Sequence, residues 1–151
     1  VFACELGDEA RLRELLQQQP DLPSKLTNAD HQRLIAAAES SNARTVRLML
    51  EAGWPVNVHH ADGVTALHWA AFHGNVETVR DLVRFQAPLE VEDATHHGKP
   101  LGWAVYGSLN SWRRKDGDYP AVVTALLDAG AQITNEGHGS EAVEDILRAR
   151  R

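Results

Sequence analysis

Paired histidines, and a tryptophan followed by three cations, are the residues in this sequence whose types and spacing could do chemistry. The chain has eight histidines, and His59-His60 and His96-His97 both fall in segments that read as turns. Two such pairs at neighbouring turns could offer four nitrogens to a metal, the usual ligand number of a structural zinc site. Adjacent side chains in an extended segment point to opposite faces, so at most one imidazole of each pair can converge. No cysteine or well-spaced carboxylate completes a cage, and the sequence predicts no metal and no cofactor. A histidine-based metal module remains a remote alternative. No Gly-rich phosphate loop, nucleophile elbow or pair of acids in a defined cleft is present, so no enzyme is predicted.

The second cluster lies in Gly107 to Pro120, where turn formers surround Trp112, Arg113, Arg114, Lys115 and Tyr119. Loops on a rigid scaffold are common recognition sites, and Trp and Arg are frequent binding anchors. The segment predicts contact with a protein partner that carries an acidic or aromatic patch. The competing reading folds Trp112 back over its own unit and pairs the cations with Asp116 and Asp118.

Composition narrows the classes. With 151 residues and 43% hydrophobic content, the chain predicts one folded domain. A formal charge of −6 argues against nucleic acid and anionic membranes, and three consecutive cations are too few to reverse that. The single cysteine, Cys4, rules out an internal disulfide and reads as a buried small hydrophobe. A reducing, cytoplasmic setting is expected. No run approaches the about 20 apolar residues of a membrane span, and no secretory leader is visible. Starting at Val1 inside an apolar helical stretch, the chain is expected to be a piece of a longer polypeptide.

The elements that would position these residues recur with a period. Leu34, Ala37, Ala38, Asn42, Val46 and Leu50 repeat 33 residues later as Leu67, Ala70, Ala71, Asn75, Val79 and Val83. Leu67, Ala70 and Ala71 repeat after 34 residues as Leu101, Ala104 and Val105, whereas Val79, Val83, Ala87 and Leu89 repeat after 44 as Val123, Leu127, Ala131 and Ile133. The difference places ten extra residues between the two helices of the third unit, near 107–119. In the clearest unit Ala66 to His73 reads as a short helix, Gly74-Asn75 as a left-handed turn, and Val76, Val79, Leu82 and Val83 as a second helix. Neither helix can bury its apolar stripe alone, so stacked neighbours must close the core.

Asp62-Gly63-Val64-Thr65-Ala66-Leu67-His68-Trp69-Ala70-Ala71, followed by Gly74-Asn75 and by Val79, Leu82 and Val83, resembles the ankyrin repeat almost position for position. Leu34 to Ala38 and Lys99 to Ala104 match by register but lack the Thr and His. Gly53-Trp54-Pro55-Val56-Asn57 and the interruption rich in Trp and Arg are similar in style to bacterial ankyrin proteins. The resemblance implies an all-α ankyrin-repeat solenoid of helix-turn-helix units with short hairpin-like loops. Full units are expected at 28–60, 61–93 and 94–134. A partial N-terminal cap unit is expected over 1–27, ending in Gly7-Asp8, Leu12 and Leu15-Leu16. A C-terminal cap helix is expected over 135–151, with Ser140 at its start, Glu141, Glu144 and Asp145 in its first turns and Arg148, Arg150 and Arg151 at its end, in accord with the helix dipole.

The resemblance also assigns roles. Thr65 and His68 are expected to tie their helix to the preceding turn by side-chain hydrogen bonds. Trp69 and Trp103, in the same register, are expected to be stacking core, and Trp54 to cover the end of its unit. Partners of ankyrin proteins are held by hairpin tips and by exposed positions of the first helices. Here those fall near Asn28, Ala29, His31, Ala61, Asp62, Val64, Thr95, His96 and His97, and at Glu39, Ser40, Phe72, His73, Tyr106 and Gly107. The function implied is that of a scaffold binding a protein partner through the concave face and the insertion, at Asp62, Val64, Phe72, His73, Tyr106, Trp112, Arg113, Arg114 and Lys115. The alternative is a regulatory or targeting module within a longer polypeptide. A monomer is the default expectation.

Overall fold

A computed structural model of the chain describes Ala3 and residues 9–151; Cys4 and Gly7-Asp8 lie outside the described residues. Among them are eight α-helices: α1 (Glu9–Gln18), α2 (Asn28–Glu39), α3 (Ala43–Glu51), α4 (Ala66–Phe72), α5 (Val76–Arg84), α6 (Pro100–Asn110), α7 (Tyr119–Asp128) and α8 (Glu141–Arg150). A short 3-10 turn, Leu22–Lys25, follows α1. None of the described helices is long and apolar enough to cross a membrane.

Helices α2, α4 and α6 pack side by side as an inner row, and α3, α5 and α7 form an outer row behind them, each inner helix against its own outer partner. Helix α8 closes the series against α7. The recurrent positions of the sequence are what this arrangement buries: Leu34, Leu67 and Leu101 on the inner row, and Val46, Val79 and Val123 on the outer row, are at most 1% exposed. The outer row is also laced by ion pairs. Arg47 on α3 reaches Asp81 at 2.9 Å and Glu77 at 2.7 Å on α5.

Local chemistry sets the joints. Asn42 and Asn75 accept from the backbone N–H of Thr45 and Thr78, capping α3 and α5. The tight turns before them need a left-handed residue, supplied by Ser41 (φ 57°) and Gly74 (φ 68°). Thr27 and Asp30 form a reciprocal capping box, so α2 starts at Asn28. Asn28, Ala29 and His31 therefore lie in a helix's first turns, not on a hairpin tip as expected.

The insertion also differs from the expected loop. Helix α6 continues through residues 107–110, and Tyr119 already begins α7, leaving 111–118 as the connector. Gly107 permits this extension. A Cβ there would lie 2.2 Å from the Phe72 carbonyl oxygen, so only glycine lets α6 run on beside the end of α4. At the C-terminus α8 forms as expected, but the Ser140 side chain makes no capping bond. Glu144 Oε1 instead accepts from the Gly139 N–H at 2.8 Å, and Ser140 N–H donates to Ser108 Oγ at 2.8 Å, docking the helix start on α6.

Candidate functional site

Trp69 and Phe72 on α4, and Trp103 and Tyr106 on α6, are three residues apart on their helices and share a face. Because the two inner helices are adjacent, these rings meet: Trp69 to Trp103 at 5.3 Å, Phe72 to Trp103 at 5.9 Å and Phe72 to Tyr106 at 6.3 Å between centroids. The connector adds Trp112, 5.4 Å from Phe72 and 6.2 Å from Trp69. Most of these pairs are edge-to-face, the arrangement favoured by the ring quadrupoles. Together they line a basin of about 640 Å³ whose other walls are the 92–99 tip and the 134–137 turn.

The hairpin wall is fixed by a carboxylate that sequence reasoning missed. Asp93 is 1% exposed. Its Oδ1 accepts from the N–H groups of Thr95 (3.0 Å) and His96 (2.7 Å), and its Oδ2 from Gly98 N–H (2.9 Å) and Trp103 Nε1 (3.0 Å). Burial alone would raise its pKa, but these donors together hold the carboxyl below the usual carboxylate range. Opposite, Glu136 folds over Gly102; its Oε1 accepts from Thr134 N–H and Oγ1, both at 2.8 Å. The signal for Asp93 was legible: an Asp two and three residues before donors in a tip is a common Asx turn.

Thr65 and His68 are structural, as the resemblance implied. His68 Nδ1 accepts from Thr65 N–H at 3.1 Å and lies 2.9 Å from Thr65 Oγ1, while Nε2 faces the Gly98 carbonyl at 3.1 Å. This assigns the Nε2–H tautomer and ties α4 to the next hairpin. Burial pushes the His68 pKa down.

The connector is anchored on the preceding unit. His73 Nδ1 meets Ser111 Oγ at 3.0 Å, Asp118 N–H donates to the Gly74 carbonyl at 2.9 Å, and the Tyr119 hydroxyl donates to the Phe72 carbonyl at 2.8 Å. Burial pushes the His73 pKa down, and the nearby Arg113 charge adds to the effect against a backbone bond at Glu39 that opposes it.

These placements sort the predicted contact residues. Tyr106 and Trp112 are 59% and 66% exposed and lie on the basin. Val64 and His73 are buried, correcting their assignment as contact positions, His73 beneath the connector; Phe72 is largely covered by its ring neighbours but still lines the basin. Gly107 is buried at the helix crossing, and Glu39 and Ser40 are exposed away from the basin. Asp62 is exposed but away from the basin; it accepts from Val64 N–H and its carbonyl takes Ala94 N–H. Trp69 and Trp103 are half-buried basin walls as well as core, a role the sequence reading did not give them. Trp54 is buried and donates to the Asp30 carbonyl at 3.0 Å. Arg113 turns away from the basin into a hollow with Asn75, Asp116 and Asp118, while Arg114 bonds the Ser111 carbonyl and Lys115 is exposed. None of the three cations forms an ion pair with Asp116 or Asp118 within 4.0 Å. Among the described residues no three His, Cys, Asp or Glu side chains gather as a metal set; His59 Nδ1 instead meets the His60 carbonyl.

A family model described as ankyrin repeats (3 copies) matches residues 1–93 and 34–137. The chain is 29% identical over 126 residues to palmitoyltransferase Hip14 of Drosophila melanogaster, covering 82% of this chain and 18% of that protein. It is 29% identical over 150 residues to the probable E3 ubiquitin-protein ligase XBOS32 of Oryza sativa subsp. japonica, covering 97% of this chain and 30% of that protein. It is 35% identical over 109 residues to the human ankyrin repeat domain-containing protein 63, covering 65% and 28%. The chain thus spans less than a third of the length of these curated relatives.

Proposed function

Given that this chain belongs to the ankyrin-repeat family, we propose that it is a protein-binding module that seats a partner segment in the aromatic basin between α4, α6 and the connector. Ankyrin repeats are generally protein-interaction modules, and such a scaffold leaves the surface free to specify the partner. The observation that carries the reading is the clustering of exposed apolar side chains. Among the described residues the exposed large hydrophobics are Tyr106, Leu109 and Trp112, all within seven residues, and Tyr106 and Trp112 line the basin. Clustered exposed apolar surface beside a concavity marks a binding face, whereas scattered residues would not. The anchored connector presents Trp112 with little further ordering cost on binding.

The test is photo-crosslinking in the source cell with a benzophenone side chain at position 109, comparing the native protein with Tyr106→Ala plus Trp112→Ala. Specific adducts that vanish in the double variant support the basin. Adducts of equal yield in both place the partner elsewhere.

A second reading is favoured by coverage: the chain matches only 18–30% of the three relatives' lengths. In it the seated segment belongs to the same polypeptide, and the module regulates or targets an attached domain. Adducts confined to a single longer polypeptide would distinguish it from binding in trans. The palmitoyltransferase and ligase names belong to those longer relatives.

A further inference from the structure

Resting on that reading of the basin, we propose that the partner segment delivers a cationic side chain, arginine ahead of lysine, onto the Trp103, Tyr106 and Trp112 rings between Glu92 and Glu136. The charges around the basin set this choice. Asp93 lies under the wall with its four donors satisfied and no Lys or Arg paired to it, and one donor is the Trp103 indole N–H. A carboxylate on that N–H pushes electron density into the indole and makes its face a better seat for a cation. Glu136 is 9% exposed and uses Oε1 internally; its Oε2 lies against Gly102 beside Trp103, and the Lys99 ammonium, bonded to Glu90, acts on it only at longer range. Glu92 stands at the mouth, 3.9 Å from the His97 imidazole, with Lys99 acting on it at longer range. The lysine in the lining, Lys99, is already neutralised by Glu90 at 2.9 Å.

The cations that could cancel this field are directed elsewhere. Trp112 forms one wall of the basin, and Arg113, next in sequence, lines the separate hollow with Ser41, Asn75, Asp116 and Asp118. The remaining titratable groups facing the basin are His96 and His97, both on the tip. An acidic segment would meet the Glu92 and Glu136 carboxylates in the lining, with Asp93 buried behind it, and the one lysine there, Lys99, is bonded to Glu90. An arginine can stack its planar guanidinium on an indole while its edge reaches a carboxylate, which a purely apolar residue cannot.

The experiment follows the indole N–H and ring signals of Trp69, Trp103 and Trp112 by NMR as end-blocked pentapeptides Gly-Gly-X-Gly-Gly are added, with X as Arg, Lys, Leu or Glu. The Arg peptide is expected to shift Trp103 and Trp112 saturably, Lys more weakly, and Glu not at all. Glu92→Gln plus Glu136→Gln, with native-like thermal unfolding as the folding control, is expected to weaken the Arg peptide by about tenfold, since a desolvated cation–aromatic contact with its counter-ion is worth about 1–2 kcal/mol. Glu92→Gln alone, at an exposed position, gives a smaller loss in the same direction. Equal binding of Leu and Arg peptides, binding of the Glu peptide, no saturable shift with Arg, or no change in the Gln variants overturns the proposal. Failure here with adducts still lost in Tyr106→Ala plus Trp112→Ala leaves the basin as the partner site and removes only its charge preference. Failure of both removes the basin.

Discussion

Replacing Asp93 by Asn exchanges one carboxylate oxygen for an N–H2 group in a site where every neighbour is a donor. The four donors are the N–H groups of Thr95, His96 and Gly98 and the Trp103 indole. Whichever way the amide turns, it faces two N–H groups and leaves both without an acceptor. A stranded buried donor costs about 1–3 kcal/mol. Thr95 and His96 lie on the exposed tip and can turn to water, so the amide settles toward them and the net loss is about 2–3 kcal/mol. For a domain of this size that is a fall of roughly 4–10 °C in Tm. The Asp93 carboxyl titrates below its ordinary value in the folded state, so its stabilisation is complete above the unfolded pKa of about 3.9 and is lost as pH falls through the lower folded value. Urea unfolding of native and Asp93→Asn protein should therefore show a wide gap at pH 7 that closes below about pH 4. A variant as stable as the native protein at pH 7, or a gap that stays constant into acid, would refute the account of Asp93 as the fastener of the basin wall.

Gly107→Ala sets about 1 kcal/mol of improved helix propensity against a Cβ placed 2.2 Å from a carbonyl oxygen. Overpacking of about 1–3 kcal/mol or more wins, so Tm falls, and a rise in Tm would show that α4 and α6 are free to separate. Tyr119→Phe strands the Phe72 carbonyl and removes about 1–2 kcal/mol; amide hydrogen exchange should quicken in 111–118 first. Burial depresses the pKa values of both His68 and His73. Their stabilisation is therefore complete above the unfolded value of about 6.5 and declines as pH drops beneath it, by up to about 1.4 kcal/mol per pH unit for each proton. Unfolding free energies measured from pH 7.5 to 5 should slope accordingly, and His73→Gln should flatten that slope; an unchanged slope contradicts the assignment.

The repeat was legible because burial imposes it: Leu34, Leu67 and Leu101 recur wherever an inner helix meets its neighbour. The Thr65–His68 pair was legible for the same reason, since a buried imidazole needs fixed partners. The length of α6 was not, because the extension past Val105 depends on Gly107 meeting the Phe72 carbonyl, a contact between residues 35 apart in sequence. Exposure was misread at Phe72 and His73 because the connector that covers them returns from the next unit. Glu136 was missed because it reaches Gly102 from across two elements, which no local spacing reveals.

The connector's three bonds to the turn at Phe72, His73 and Gly74 also bear on how the array comes apart. In a stack held mainly by nearest-neighbour contacts, unfolding spreads from an end one unit at a time. Here the joint between the second and third units carries a polar clasp onto buried turn atoms, whereas the joint between the first and second is tied by partly exposed ion pairs from Arg47 to Glu77 and Asp81, which are worth less. Residues 61–134 should therefore open as one cooperative block, while the first unit frays separately from the N-terminal side. The basin lies wholly within that block and its C-terminal turn, so it stays assembled through partial opening that would dismantle a site shared with the first unit.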